Sequence, residues 1–225
     1  FFTLVFPVGL LFLFGSIYGN EPSELLGGRG TIDISVPAYT AMIIATTSLM
    51  GLGITMAAYR EQGVLRRLQT TPVSPLAILV AVTAVLFGMT LVGMALLVLA
   101  GRLVYQMRFE GQLLSVLAGL MLGSLSMLSL GFMLAGVMRT ARSAQIVGMV
   151  LLYPMLFLSG AGFPRELLPA TIQKVSAFLP LTYVVNLLRG LWVGESWGQH
   201  TTNVVVLSVL LVAGLAISAL TFRWE

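Results

Sequence analysis

Long apolar runs broken by short polar stretches set the pattern of this chain. A bilayer core about 30 Å thick takes roughly 20 apolar residues per helical span. The runs predict spans over residues 1–18, 37–59, 75–101, 111–138, 143–160 and 202–222. The first is short and contains Pro7, so its crossing is expected to need residues ahead of Phe1. Pro37 suits the first turn of span 2. The polar stretch before it holds Glu21, Glu24, Arg29 and Asp33 around the Gly27-Gly28-Arg29-Gly30 run.

Residues 161–199 read differently. Pro164, Pro169 and Pro180 cut this segment into pieces long enough for helices but too short to cross. They are expected to be re-entrant or interfacial. In one piece Ile172, Val175, Phe178 and Leu179 share a helical face. In the next, Thr182, Asn186 and Arg189 form a polar stripe among leucines and valines. Burying Arg189 unpaired is costly, so the stripe should meet water, a cavity or an acid such as Glu195 or Glu166.

The fold class is thus all-α: a polytopic membrane protein of six spans forming one domain over residues 1–225, with a basic break at 60–74 and short non-crossing helices in segment 161–199. Composition agrees. The 225 residues are 58% hydrophobic and 9% charged, with mean hydropathy +1.00, against about a quarter charged in soluble domains. The net charge of +4 comes from basic residues scattered between spans, which fits topology rather than nucleic acid. The start at Phe1, inside an apolar run, suggests an absent N-terminal cytoplasmic segment.

With span 1 starting inside, Arg60, Arg66, Arg67, Arg139, Arg142 and Arg223 crowd the inner breaks. Arg29, Arg102, Arg108, Arg165, Lys174 and Arg189 spread over longer outer stretches. Density of basic residues therefore places both termini in the cytoplasm.

The chemistry available to the chain is narrow. It has no cysteine and one histidine, His200, so it supplies no typical metal set. As drawn, spans 2 to 6 carry no Asp, Glu, Lys or Arg, which disfavours ion coupling. The lone lysine, Lys174, sits in no phosphate-cradling loop, so any ATP and magnesium belong to a partner. Catalysis by the chain itself is not expected, His200 at a span mouth being an ordinary surface histidine.

Three other groups bear weighing. Thr46, Thr47, Ser48 and Ser126 offer hydroxyls to a translocation path, although such groups often bond back to their own helices. Gly119 with Gly123, Gly131 with Ala135 and Gly214 with Ser218 allow close helix packing, within one bundle rather than at a dimer seam. The break after span 2, which also holds Glu61 and Gly63, predicts a short helix with Val64, Leu65 and Leu68 apolar and Arg60, Arg66 and Arg67 charged, suited to a groove in a soluble partner. Arginines there would also fix topology and touch anionic lipid.

Two stretches resemble the ABC-2 type permease family, the membrane subunits of bacterial ABC exporters. They are Arg60-Glu-Gln-Gly-Val-Leu-Arg-Arg-Leu-Gln-Thr-Thr-Pro72, and Phe157-Leu-Ser-Gly-Ala-Gly-Phe-Pro-Arg-Glu-Leu-Leu-Pro169 continuing to Leu179-Pro-Leu-Thr-Tyr-Val-Val-Asn-Leu-Leu-Arg189. The small outer loops are similar to drug-resistance and nodulation-factor exporters. The resemblance implies a type V exporter fold and ATPase docking by Arg60 to Thr71. It also implies external re-entrant helices including Phe163, Pro164, Arg165, Pro180, Thr182, Asn186 and Arg189. A second permease copy, two nucleotide-binding ATPase subunits and the bacterial inner membrane follow from the same likeness. The competing readings are a non-transporting membrane scaffold and an ion-coupled transporter.

Overall fold

The computed structural model describes residues 2–22, 28–64, 67, 75–138, 140–162 and 169–221. Among these the chain is helical: α1 Phe2–Tyr18, α2 Thr31–Thr46, a π-helical stretch Thr47–Leu52, α3 Gly53–Glu61, α4 Pro75–Tyr105, α5 Leu113–Val137, α6 Ala141–Leu158, α7 Ala170–Ser176, α8 Pro180–Trp192 and α9 Thr201–Thr221. A 3₁₀ turn, Trp197–His200, leads into α9. Five helical units are long and apolar enough to cross a membrane: Thr31–Glu61, Ala77–Tyr105, Leu113–Val137, Ala141–Leu158 and Trp197–Leu220. The apolar part of α1, Thr3–Tyr18, is shorter.

Span 2 begins six residues before the expected 37, and the reason is a cap contributed from elsewhere. Asn20 Oδ1 accepts from the backbone N–H of Ile32 at 2.9 Å and of Asp33 at 3.2 Å, supplying what the first helical turn lacks. Pro37 therefore lies inside α2, and Asp33 belongs to the helix rather than to a loop. Span 2 therefore holds a charged residue where none was expected: Asp33 is buried in the first turn of α2. Arg60 and Glu61 lie in α3, Arg102 in α4 and Arg142 in α6.

Other boundaries follow local chemistry. Span 5 starts at 141 because Thr140 Oγ1 accepts from Ser143 N–H at 3.1 Å while Ser143 Oγ accepts from Thr140 N–H at 3.3 Å. It stops at Leu158 as the chain turns through Gly160, whose φ is 89°. Pro169 precedes α7 and Pro180 opens α8, as their fixed φ favours.

At the other end of span 2, Gly63 has φ 68° and directs the chain out of α3. A side chain there meets open space, so only backbone strain opposes substitution. Gly63→Ala is expected to cost about 1 kcal/mol, read as a lower midpoint in detergent unfolding.

Helix α2 is central: Val36 to Ala45 are all buried. It contacts α1, α4, α5 and α8. In contrast α4 and α9 expose most of their apolar surface, including Val85, Leu99, Leu103, Val209 and Val212, the mark of a lipid-facing helix. The core divides along span 2. One cluster includes α2 through Leu49, and a second gathers Leu52, Met56, Leu128, Phe132 and Ala135.

Small residues do serve packing within the bundle. A Cβ at Gly119 or Gly123 would press on Leu191 or Val184 of α8. One at Gly214 would strike Ser129 across the α5–α9 seam.

Candidate functional site

The α3 end of the bundle gathers four of the expected coupling residues, Arg60, Glu61, Gly63 and Arg67. Leu65, Arg66 and Leu68 lie outside the described residues. Arg60 Nη1 donates to Gly136 O at 3.3 Å, and Nη2 donates to Met138 O. Glu61 Oε2 accepts from the backbone N–H of Ala141 at 2.8 Å. These side chains are thus spent inside the chain, on the turn joining α5 and α6. Arg67 is exposed, and its N–H donates to Gly63 O at 3.2 Å.

The hydroxyls expected along a translocation path take up different positions. Thr46 Oγ1 donates to Met42 O at 2.8 Å, and Thr47 Oγ1 to Ile43 O at 2.8 Å, with Thr90 Oγ1 of α4 at 3.5 Å. Ser126 is fully buried, donating to Leu122 O at 2.7 Å and Leu207 O at 2.8 Å. Ser129 bonds in the same way to Ser126 O and Leu210 O. The Ser126 hydroxyl is therefore placed in the α5–α9 seam, where it ties two helices. Ser48, in the π stretch, is fully buried and its Oγ has no partner among the described residues.

The expected outer-gate residues Pro180, Thr182, Asn186 and Arg189 all lie on α8, seated among α2, α5 and α9. Phe163, Pro164 and Arg165 fall outside the described residues. Thr182 is buried and its Oγ1 donates to Ser176 O at 2.6 Å, joining α8 to α7. Asn186 is half-buried. Arg189 Nη2 donates to Gly160 O at 3.0 Å, pinning the exit of α6. Glu195, expected beside Arg189, pairs instead with His200 at 2.8 Å, and Asn203 Nδ2 lies 3.0 Å from His200 Nδ1. Glu166 is outside the described residues.

The sequence reading missed a polar centre at this same end. Asp33 Oδ1 accepts from Asn20 Nδ2 at 3.0 Å and from Arg108 N–H at 2.9 Å, and Oδ2 accepts from Gly30 N–H at 3.3 Å. Asn20 also reaches Tyr105 O at 3.3 Å. One buried carboxylate thus fastens the ends of α1, α2 and α4. The local signal was an acid three residues after Gly30 at a helix start. The partners at 105 and 108 carried none.

What the arrangement offers is a rigid membrane bundle with a basic turn at one end and a buried amphipathic helix, α8, at the other. The sequence matches the ABC-2 type transporter family over residues 1–192. The chain belongs to that family. Within the ABC-2 match lie the helices α1 to α8, both polar ends among them.

This ABC-2 chain is also similar to nodulation protein J of Rhizobium leguminosarum bv. viciae, at 37% identity over 70 residues, 31% of this chain and 27% of the relative. Nodulation protein J of Sinorhizobium fredii (strain NBRC 101917 / NGR234) matches at 39% over 61 residues, 27% of this chain and 23% of that protein. The matched stretches span about a quarter of these curated relatives. Membership and the apolar helices together make the chain a multi-pass membrane protein and a transport-family subunit.

Proposed function

We propose that this chain is the permease subunit of an ATP-driven exporter, moving a drug-, lipid- or glycan-like cargo out of the cytoplasm. The observation carrying the reading is the family match across 192 of the 225 residues. Energy enters from a separate nucleotide-binding ATPase that holds ATP and magnesium, since the sequence has no loop to cradle phosphate. In this reading residues 60–74 receive the ATPase, and α8 with segment 161–179 closes the outer side. Two permease copies face each other in the bacterial inner membrane, with both termini cytoplasmic and residues 1–225 forming one transmembrane domain. Closure of the ATPases pushes on the coupling segment and rocks the spans between inward and outward arrangements.

Arg66 and Arg67 are the residues to reverse. Arg67 is exposed, and charges at a docking rim act mainly through electrostatic complementarity, so Arg66→Glu/Arg67→Glu is expected to weaken ATPase co-purification about tenfold. The reconstituted complex should then hydrolyse ATP at the rate of the free ATPase. Wild-type values for both co-purification and ATPase rate would overturn the docking role.

A further inference from the structure

Two adjacent residues of opposite charge end span 2, and each engages the helix pole of opposite sign. The Arg60 guanidinium meets Gly136 O and Met138 O at the C-terminus of α5, where orphan carbonyls concentrate partial negative charge. The Glu61 carboxylate meets the first N–H of α6, at Ala141, where partial positive charge concentrates. Partners 76 to 80 residues distant are drawn onto one turn.

Packing continues the connection inward. Helix α3 lies against both α5 and α6, and the second core joins Leu52 and Met56 to Leu128, Phe132 and Ala135 of α5. Helix α4 contacts mainly α1, α2 and the π stretch, and reaches the second core only through the partly buried Leu79, Val82 and Leu86. Because, among the described residues, Arg60 and Glu61 bond to the α5–α6 turn and to no group of α4, a displacement of the end of span 2 is handed to α5 and α6 in preference to α4.

We propose that Arg60 and Glu61 are positioning residues that make α3 and the α5–α6 turn move as one piece, carrying ATPase-driven displacement into those two spans. This rests on the permease reading above, and it revises the pair from direct docking contacts to an internal fastening. Arg60 supplies forked donors to two carbonyls, which lysine reproduces only in part.

The absence of native cysteine allows site-specific spin labels. Gln62→Cys and Arg142→Cys place labels on exposed positions either side of the fastening. In the complex with its ATPase, the distance between them should stay unchanged between the nucleotide-free and the ATP–vanadate-trapped states. Arg60→Ala/Glu61→Gln should broaden that distance in the permease alone and shift it on trapping, while Arg60→Lys restores a narrower distribution. Ser126→Ala, which loosens the α5–α9 seam elsewhere, controls for lost stability and should leave the distance fixed.

A label distance that changes on trapping with Arg60 and Glu61 intact would overturn the proposal. So would one that stays fixed in Arg60→Ala/Glu61→Gln. Failure of the wild-type permease to bind any ATPase would instead refute the transporter reading and the force-carrying role with it. The broadening in the isolated permease would then still decide whether the fastening exists.

Discussion

Asp33→Ala is expected to destabilise the bundle by about 3 kcal/mol, since bonds to a charged acceptor are worth about 1.5–3 each and buried donors lose their partner. The loss falls on Asn20 Nδ2, Arg108 N–H and Gly30 N–H together. Among the described residues only Asn20 Nδ2 has a second acceptor, Tyr105 O at 3.3 Å; Asp33 is only 7% exposed, so water replaces its carboxylate poorly. Asp33→Asn keeps one carbonyl acceptor and should lose about half as much, its amide now facing donors. Thermal unfolding in detergent, followed by size-exclusion recovery, checks the order parent, Asn, Ala. An alanine variant melting with the parent would show that Asp33 does not hold the three segments.

Gly131→Ala should be as damaging by a different route, costing about 3 kcal/mol or more as an overpacked position whose neighbours cannot yield. An added Cβ would lie 2.3 Å from Ser48 O and 3.0 Å from Leu52 Cδ2. The first of these is backbone, fixed within the π stretch and surrounded by buried side chains. Gly88→Ala gives the contrast, as nothing lies within 4 Å of its Cβ, and alanine in a helix gains up to about 1 kcal/mol over glycine. Expression level and unfolding midpoint of the two variants in parallel decide the matter. Equal behaviour would mean that α5 does not approach span 2 as closely as described.

Five of the six expected spans were legible because crossing a bilayer requires a length of apolar chain that no local detail hides. Pro169 and Pro180 were legible as breaks between short helices because proline acts through its own backbone. Capping of α2 by Asn20 was not legible, since the donor and acceptor are separated by a loop whose course no periodicity records. Segment 60–74 stood out as basic and amphipathic, yet the sequence did not distinguish a side chain facing a partner from one turned back on its own chain. For Arg60 and Glu61 that choice depends on where residues 136–141 arrive, which only tertiary packing sets. Ser126 shows the same limit: a hydroxyl in a span has one composition whether it lines a path or bridges two helices.

The π stretch at Thr47–Leu52 has a consequence for how span 2 presents itself. A π turn admits about one surplus residue, and each residue of an α-helix advances about 100° around the axis. Side chains after Leu52 are accordingly out of phase with those before Thr47, so one span behaves as two rods sharing an axis. The first is sheathed by protein on every side, whereas the second buries only the stripe Gly53, Met56 and Ala57. This phase slip lets the terminal turn of the second rod bear on residues 136–141 without disturbing the enclosed first rod.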